Sequence, residues 1–123
     1  MVNVLVVEDS EFMRRKIKDI LSELDYSVIA EAENGQEGFD MYQELKPDLV
    51  LLDITMPIMS GRDALARILD FDEDANIIMC STHGSNKMIR ACLEEGAHGY
   101  ILKPFVADQA KQSIKEVVDA VVC

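Results

Sequence analysis

Four apolar runs in the sequence end in polar residues whose types could do chemistry. Three acids, two hydroxyl residues and a lysine stand at these ends: Glu8 and Asp9 after residues 4–7, Asp53 after 49–52, Ser81 and Thr82 after 77–80, and Lys103 after 100–102. If the runs are parallel strands of one sheet, their carboxyl ends gather these side chains in a single crevice.

Three carboxylates in such a crevice repel one another. Two unit charges at ~4 Å cost about 4 kcal/mol at an effective dielectric constant near 20. A divalent cation would neutralise the acids, and an all-oxygen ligand set favours a hard ion such as Mg²⁺, with Mn²⁺ as the alternative. Lys103 then provides a fixed positive charge for an anionic group that arrives later. These residue types therefore predict a metal-assisted phosphoryl site.

Composition narrows the classes of protein to consider. The chain has 123 residues, the size of one ordinary domain, and a formal net charge of −11 with dispersed basic residues. This balance argues against direct binding to nucleic acid or to an anionic membrane. Because no apolar run is long enough to cross a bilayer and no leader precedes the first strand, we expect a cytoplasmic protein. The cysteines lack metal-ligand spacing, and Cys80 and Cys92 are expected to be buried thiols.

The elements that must position these residues alternate along the chain. Near-continuous apolar runs are typical of strands buried on both faces of a parallel sheet, and they occur at 4–7, 28–30, 49–52, 77–80 and 100–102. Stretches with helical spacing separate them. In the first helix the predicted core face is Phe12, Met13, Ile17, Ile20, Leu21 and Leu24, with Ser10 as the cap, and in the last it is Val106, Ala110, Ile114, Val117, Val118 and Val121. The pattern predicts one doubly wound α/β domain over residues 1–123, with helices on both faces of a five-stranded parallel sheet.

Taken in order along the whole chain, these residues resemble the receiver domain of response regulators. The similarity runs from Glu8-Asp9 through Asp53, Met56-Pro57 and Ser81 to Lys103-Pro104-Phe105, and it is strongest to the single-domain chemotaxis type. The resemblance implies the flavodoxin-like strand order 2-1-3-4-5. It also implies a two-component phosphorelay, in which a sensor histidine kinase donates a phosphoryl group and the domain then changes its affinity for a downstream partner.

The resemblance further implies a role for each site residue. Asp53 is the phosphoacceptor and becomes an aspartyl phosphate. Glu8, Asp9, Asp53 and the backbone carbonyl of Thr55 hold Mg²⁺. Lys103 pairs with a phosphoryl oxygen, and catalysis consists of positioning and charge neutralisation. The chain is then a signalling domain and not an enzyme, because it catalyses only its own phosphorylation and dephosphorylation.

Other positions carry the implied switch and its timing. Ser81 supplies the switch hydroxyl, with Thr82 left open as the alternative, and Tyr100 changes position with it. Thr55 and His83 border the path of the hydrolytic water and tune the dephosphorylation rate. Pro104 implies a cis Lys103–Pro104 bond. The implied partners are a flagellar motor switch component and a phosphatase. On the predicted fold, the 85–94 helix and the final helix also offer a basic surface to an acidic partner segment, formed by Lys87, Arg90, Lys111 and Lys115.

Several rival functions remain to be weighed against this one. A phosphatase of the haloacid-dehalogenase type would need a general acid two residues after Asp53, and Thr55 cannot serve as one. A flavodoxin-like flavin protein would need a phosphate-binding first loop, whereas an acidic loop repels phosphate. A degenerate receiver used only for binding would lack the acids and the lysine. The remaining alternative is a receiver domain cut from a larger regulator with a DNA-binding or enzymatic output domain. Because the chain ends directly after the last predicted helix, we expect a free-standing protein instead.

Overall fold

The computed structural model describes residues 2–82 and 84–121. Within them, five parallel strands form a sheet of order β2-β1-β3-β4-β5, and five helices alternate with the strands. The elements are β1 Asn3–Val7, α1 Glu11–Glu23, β2 Ser27–Ala32, α2 Gly35–Leu45, β3 Leu49–Asp53, α3 Gly61–Phe71, β4 Ile77–Ser81, α4 Asn86–Glu94, β5 Gly99–Leu102 and α5 Ala107–Val121. This arrangement confirms the predicted fold class and strand order.

Helices cover both faces of the sheet, and alternate residues of each strand point to opposite faces. Val4 and Val6 of β1 pack with residues of α1 and α5, whereas Leu5 and Val7 pack with residues of α2, α3 and α4. Strands β3 and β4 are buried along their whole length. Double-sided burial explains why these strands read as continuous apolar runs. No helix in the described part of the chain is long and apolar enough to span a membrane.

Local sequence accounts for where the helices begin. The Ser10 hydroxyl accepts a hydrogen bond of 3.2 Å from the backbone N–H of Met13, which confirms the predicted cap of α1. The caps of α2, α3 and α4 accept in the same way from the third residue of each helix, and they are Asn34, Ser60 and Ser85. Each cap satisfies a backbone donor that the first turn of a helix leaves free.

Three residues of the predicted helix faces are exposed instead, and one of them is Val121 at the end of α5, which is 41% exposed. Ile17 and Leu21 of α1 are buried as expected, but Phe12 is 67% exposed, so its assignment to the core face was wrong. Phe12 lies five residues before Ile17, which turns it about 140° around the helix from that residue. The Lys16 ammonium lies 5.4 Å from the centre of its ring. Val106 is 59% exposed because it precedes α5 and so lies outside the helix that was expected to bury it.

The loop between β3 and α3 is held by glycines at the first positions of two helices. The Gly61 N–H donates to the Ile54 carbonyl at 2.7 Å, and a Cβ at Gly61 would collide with the Asp53 carbonyl oxygen. The Gly35 N–H donates to the Met59 carbonyl at 3.1 Å, and a Cβ there would collide with Met59. Any other residue at these two positions would push the loop away from the end of β3.

One residue of this loop has a strained backbone, and relieving the strain should stabilise the fold. Ile58 has φ of 69°, a left-handed conformation that is costly for a β-branched residue, and its side chain is 83% exposed. We expect Ile58→Asn to raise the free energy of unfolding by about 1 kcal/mol, because Asn tolerates this conformation. Urea denaturation measures the change. Ile58→Val keeps the β-branch and serves as the matched control; equal stability of the two variants would contradict the prediction.

Candidate functional site

The ends of β1 and β3 bring three acids together at the carboxyl edge of the sheet. Val7 of β1 lies opposite Leu52 of β3, so Glu8, Asp9 and Asp53 leave the sheet side by side. One carboxylate oxygen of each lies within 4.8 Å of the others. Glu8 and Asp53 are 1% and 6% exposed, whereas Asp9 is exposed to solvent. The crevice expected from the sequence is therefore formed by these residues.

A lysine enters the same crevice from the end of β5. The Lys103 side chain is 10% exposed, and its ammonium contacts the Glu8 carboxylate and lies 3.3 Å from Asp53 Oδ1. The Lys103 N–H donates to the Ser81 carbonyl at 2.9 Å, which holds the end of β5 against β4. The Lys103–Pro104 peptide bond is cis. The cation thus faces two of the three acids.

Burial and mutual repulsion shape the electrostatics of the crevice. Burial raises the pKa of Glu8 above its ordinary value, with a contribution from the charge on Asp53, although Lys103 opposes the shift. Burial also raises the pKa of Asp53, again against Lys103 and with a contribution from Asp9. Burial lowers the pKa of Lys103, but the contacts with Glu8 and Asp53 more than compensate, so the net shift is upward and the lysine stays charged.

The donor set of the crevice fits a hard divalent cation. Three carboxylates converge from two strand ends, and a single ammonium does not balance their charge. Oxygen ligands at such a convergence are those that Mg²⁺ prefers. Thr55 lies two residues beyond Asp53 in the loop held by the glycines, with its side chain exposed. The structure thus places Thr55 in the loop that directly follows Asp53.

A buried hydroxyl and a half-buried tyrosine lie beside the crevice. Ser81 ends β4 and is 1% exposed, whereas the following Thr82 is exposed. Tyr100 of β5 lies opposite Met79 and packs on the face of the sheet that α2, α3 and α4 cover. Burial raises the pKa of the Tyr100 hydroxyl, and a hydrogen bond with the Ser81 side chain partly opposes that shift. The two side chains are therefore directly connected.

Two other predicted features have different outcomes. His83 lies outside the described residues, so its expected position beside the crevice stays a prediction. The basic surface is weaker than expected, because acids of the same chain pair with two of its lysines. The Lys111 ammonium lies 3.5 Å from Glu23 and 3.4 Å from Asp108, and the Lys115 ammonium lies 3.4 Å from Asp119.

The structure also adds Arg14, a residue that the sequence analysis did not single out. Its side chain is 11% exposed, and one guanidinium nitrogen donates to the Glu8 carbonyl oxygen at 2.7 Å. In the sequence it stands in a run of three basic residues, and the side chain of its neighbour Arg15 is 71% exposed. The available signal was helical periodicity: Arg14 lies three residues before Ile17 and seven before Leu21, spacings that return to one helix face.

Comparisons with known proteins agree with this geometry. The model of the response regulator receiver domain family matches residues 4–115. The chemotaxis protein CheY of Listeria monocytogenes is 46% identical over 94% of this chain and 98% of its own length, and that of Halobacterium salinarum is 44% identical over 95% and 97%. The CheY structure in a CheX–CheY–BeF₃–Mg²⁺ complex from Borrelia burgdorferi is similar with a TM-score of 0.92 and 35% identity, covering 94% of this chain and 88% of that one. The chain therefore belongs to the response-regulator receiver family and is a chemotaxis response regulator of the CheY type.

Proposed function

We propose that Asp53 accepts a phosphoryl group from a sensor histidine kinase and that the phosphorylated chain changes its affinity for a downstream partner. The observation that carries this proposal is the buried Asp53 carboxylate, which lies with two further acids and a charged lysine at the carboxyl edge of the sheet. A carboxylate in that position is a nucleophile with a fixed cation beside it. We further propose that residues 1–123 form one receiver domain that acts in the cytoplasm.

The chemistry follows from the residues of the crevice. A carboxylate oxygen of Asp53 attacks phosphorus, and the bond from phosphorus to the kinase histidine breaks as the new P–O bond forms. Glu8, Asp9, Asp53 and the Thr55 carbonyl would hold Mg²⁺, which supplies positive charge to the acids and to the phosphoryl oxygens. Lys103 pairs with a phosphoryl oxygen, and its raised pKa keeps it protonated for that contact. Positioning and charge neutralisation account for the catalysis, which is confined to the domain's own phosphorylation and dephosphorylation.

Residues around the crevice are assigned to timing and to output. Thr55 is exposed two residues beyond Asp53, and its side chain is proposed to affect the approach of water to a phosphorylated Asp53. His83 is proposed for the same role. Ser81 and Tyr100 are assigned to the switch, on the basis of the hydrogen bond between them. The proposed partners are the kinase, a flagellar motor switch component and a phosphatase. The similar Borrelia structure is itself a complex of CheY with a second protein, CheX. Binding to nucleic acid or to membranes is not part of this proposal.

Phosphotransfer from a kinase tests the proposed function directly. A chemotaxis histidine kinase labelled on its histidine with ³²P should lose label to this chain within minutes when Mg²⁺ is present. Chelation of the metal with EDTA should prevent the transfer, because the acids of the crevice then repel the incoming phosphoryl group. Gel autoradiography follows both proteins in one reaction. Retention of the label on the kinase in the presence of Mg²⁺ would count against the proposal.

A further inference from the structure

We propose that Arg14 is a positioning residue for Mg²⁺, because it holds the peptide that joins Glu8 to Asp9. The inference rests on the proposed function, in which these two acids bind the metal. It concerns a residue of α1 that contributes no ligand to the site. The observation behind it is the short hydrogen bond, 2.7 Å, from the Arg14 guanidinium to the Glu8 carbonyl oxygen.

The segment from Glu8 to Ser10 is fixed by hydrogen bonds on both sides of that peptide. The Glu8 N–H donates to the Ala32 carbonyl at 2.9 Å, and the Ser10 N–H donates to Glu8 Oε2 at 3.0 Å. Between these two points, Arg14 holds the carbonyl of the Glu8–Asp9 peptide. Because the peptide is planar, fixing its carbonyl also fixes the direction in which the Asp9 backbone leaves it. The exposed Asp9 side chain thereby receives a defined starting direction.

The guanidinium is itself anchored at its other nitrogens. Nε lies 3.3 Å from Glu31 Oε1, and a terminal nitrogen lies 3.6 Å from Glu33 Oε1. Arg14 therefore ties α1 to the end of β1 and to acids at the end of β2. A planar group with several donors in fixed directions can make these contacts together, whereas a lysine ammonium cannot reproduce them. Low exposure of the side chain, 11%, limits its freedom further.

The sign of the expected effect separates positioning from simple electrostatics. Arg14 carries a positive charge next to a cation site, so charge alone predicts that its removal tightens Mg²⁺ binding. Positioning predicts the opposite, because a mobile Glu8–Asp9 peptide presents the acids less well. Loss of a group that orients metal ligands typically weakens metal binding by about 10- to 100-fold. The change in Mg²⁺ affinity on removal of Arg14 therefore agrees with one explanation and contradicts the other.

The experiment compares two neighbouring arginines of α1. Arg14→Met and Arg15→Met remove the same charge from the same helix, but only Arg14 contacts the Glu8 carbonyl. Isothermal titration calorimetry of the whole chain with Mg²⁺, at fixed ionic strength, gives the dissociation constants. We expect binding to weaken by about tenfold or more in Arg14→Met and to stay within about twofold of wild type in Arg15→Met. Arg14→Lys should also bind Mg²⁺ more weakly than Arg15→Lys, because it keeps the positive charge but loses the planar guanidinium with its several donors.

A readout without metal distinguishes positioning from a general loss of stability. Amide hydrogen exchange at Asp9 and Ser10 should become faster in Arg14→Met, while exchange in the central strand β3 stays as slow as in Arg15→Met. If Arg14→Met does not fold, the two lysine variants decide the question. Binding in Arg14→Lys equal to that in Arg15→Lys, or binding in Arg14→Met as tight as in Arg15→Met, overturns the inference alone. Failure of the wild type to bind Mg²⁺ overturns it together with the proposed function.

Discussion

Replacing Asp53 with asparagine should abolish phosphorylation of the chain and, at the same time, make the metal-free protein more stable. The first effect follows from chemistry, because the amide cannot serve as the nucleophile. The second follows from the crevice, where burial raises the pKa of Asp53 and the charges on Asp9 and Glu8 add to its cost. Removing one of the two buried carboxylates should raise the free energy of unfolding by on the order of 1 kcal/mol.

The pH dependence of this gain has a definite sign. The pKa of Asp53 is raised in the folded state, so this group favours folding below its unfolded pKa, and that contribution is lost as the pH rises through the folded pKa. At neutral pH the wild type carries the full cost of the charge, whereas the asparagine variant does not. The difference in stability between the two proteins should therefore be largest near neutral pH and should shrink as the pH falls toward the ordinary range of aspartate.

Two measurements on one set of proteins check the prediction. Intact-mass spectrometry after incubation with acetyl phosphate and Mg²⁺ should show one added phosphoryl group in the wild type, labile to base, and none in Asp53→Asn. Urea denaturation without metal should show the gain in stability, and added Mg²⁺ should stabilise the wild type more than the variant. Asp19→Asn, an exposed change on α1, is the matched control and should behave as wild type. An adduct persisting in Asp53→Asn would identify a different acceptor.

The acids and the lysine can be recognised in the sequence because each of them directly follows an apolar run. Asp53 ends a fully buried strand, and the fold type alone then places it beside Glu8. Arg14 could not be found in the same way, since its partners Glu31 and Glu33 lie at the end of β2 and just after it, and the contact depends on how α1 packs over the sheet. Charge along the sequence is a poor guide to charge on a surface.

Other differences have the same origin in three-dimensional placement. The sequence shows that Lys111 is a basic residue, but its pairing with Glu23 depends on α5 lying against α1. The left-handed backbone of Ile58 is invisible in the sequence because isoleucine is among the residues least suited to it. That conformation is imposed by the loop, whose neighbours Gly35 and Gly61 hold it against two helices.

Substitutions at Ser81 and Tyr100 should uncouple partner binding from activation while leaving phosphorylation of Asp53 intact. The hydrogen bond between the two side chains links the crevice to the outer side of β5. Burial raises the pKa of Tyr100 and this hydrogen bond acts to lower it, as expected when Ser81 donates to the tyrosine oxygen. A serine hydroxyl can also accept, so on activation Ser81 can donate to a phosphoryl oxygen and accept from Tyr100 instead. A phosphoryl group, which adds about one and a half to two negative charges, would strengthen that chain of hydrogen bonds.

The position of Tyr100 matters because this residue lines two surface grooves where a partner can bind. A groove of ≈ 340 Å³ beside β5 and α5 is lined by Tyr100 together with Ser113, Glu116 and Val117, among others. A second groove, lined by Tyr100 and Pro104, continues along the same elements. A change in the position of Tyr100 would therefore change the shape of both grooves. A partner that binds one shape better than the other shifts the population toward that shape.

The test measures the ratio of affinities between the beryllofluoride-activated and the inactive protein for a flagellar motor switch peptide. Allosteric couplings are commonly about 1–3 kcal/mol, which corresponds to a ratio of about 5 to 150, and we expect the wild type to fall in that range. The ratio should approach one in Ser81→Ala and in Tyr100→Ala. Mass spectrometry after acetyl phosphate treatment controls for phosphorylation, which both variants should retain.

Tyr100→Phe separates the hydroxyl from the ring and so completes the argument. This variant keeps the aromatic packing on the α2, α3 and α4 side of the sheet but cannot hydrogen bond to Ser81. Loss of one such hydrogen bond costs about 1 kcal/mol, so the affinity ratio should fall by up to about fivefold and should not fall below that of Tyr100→Ala. Unchanged ratios in both Ser81→Ala and Tyr100→Ala would mean that activation reaches the partner by another route. A wild-type ratio in Tyr100→Phe alone would mean that ring position, and not the hydrogen bond, carries the switch.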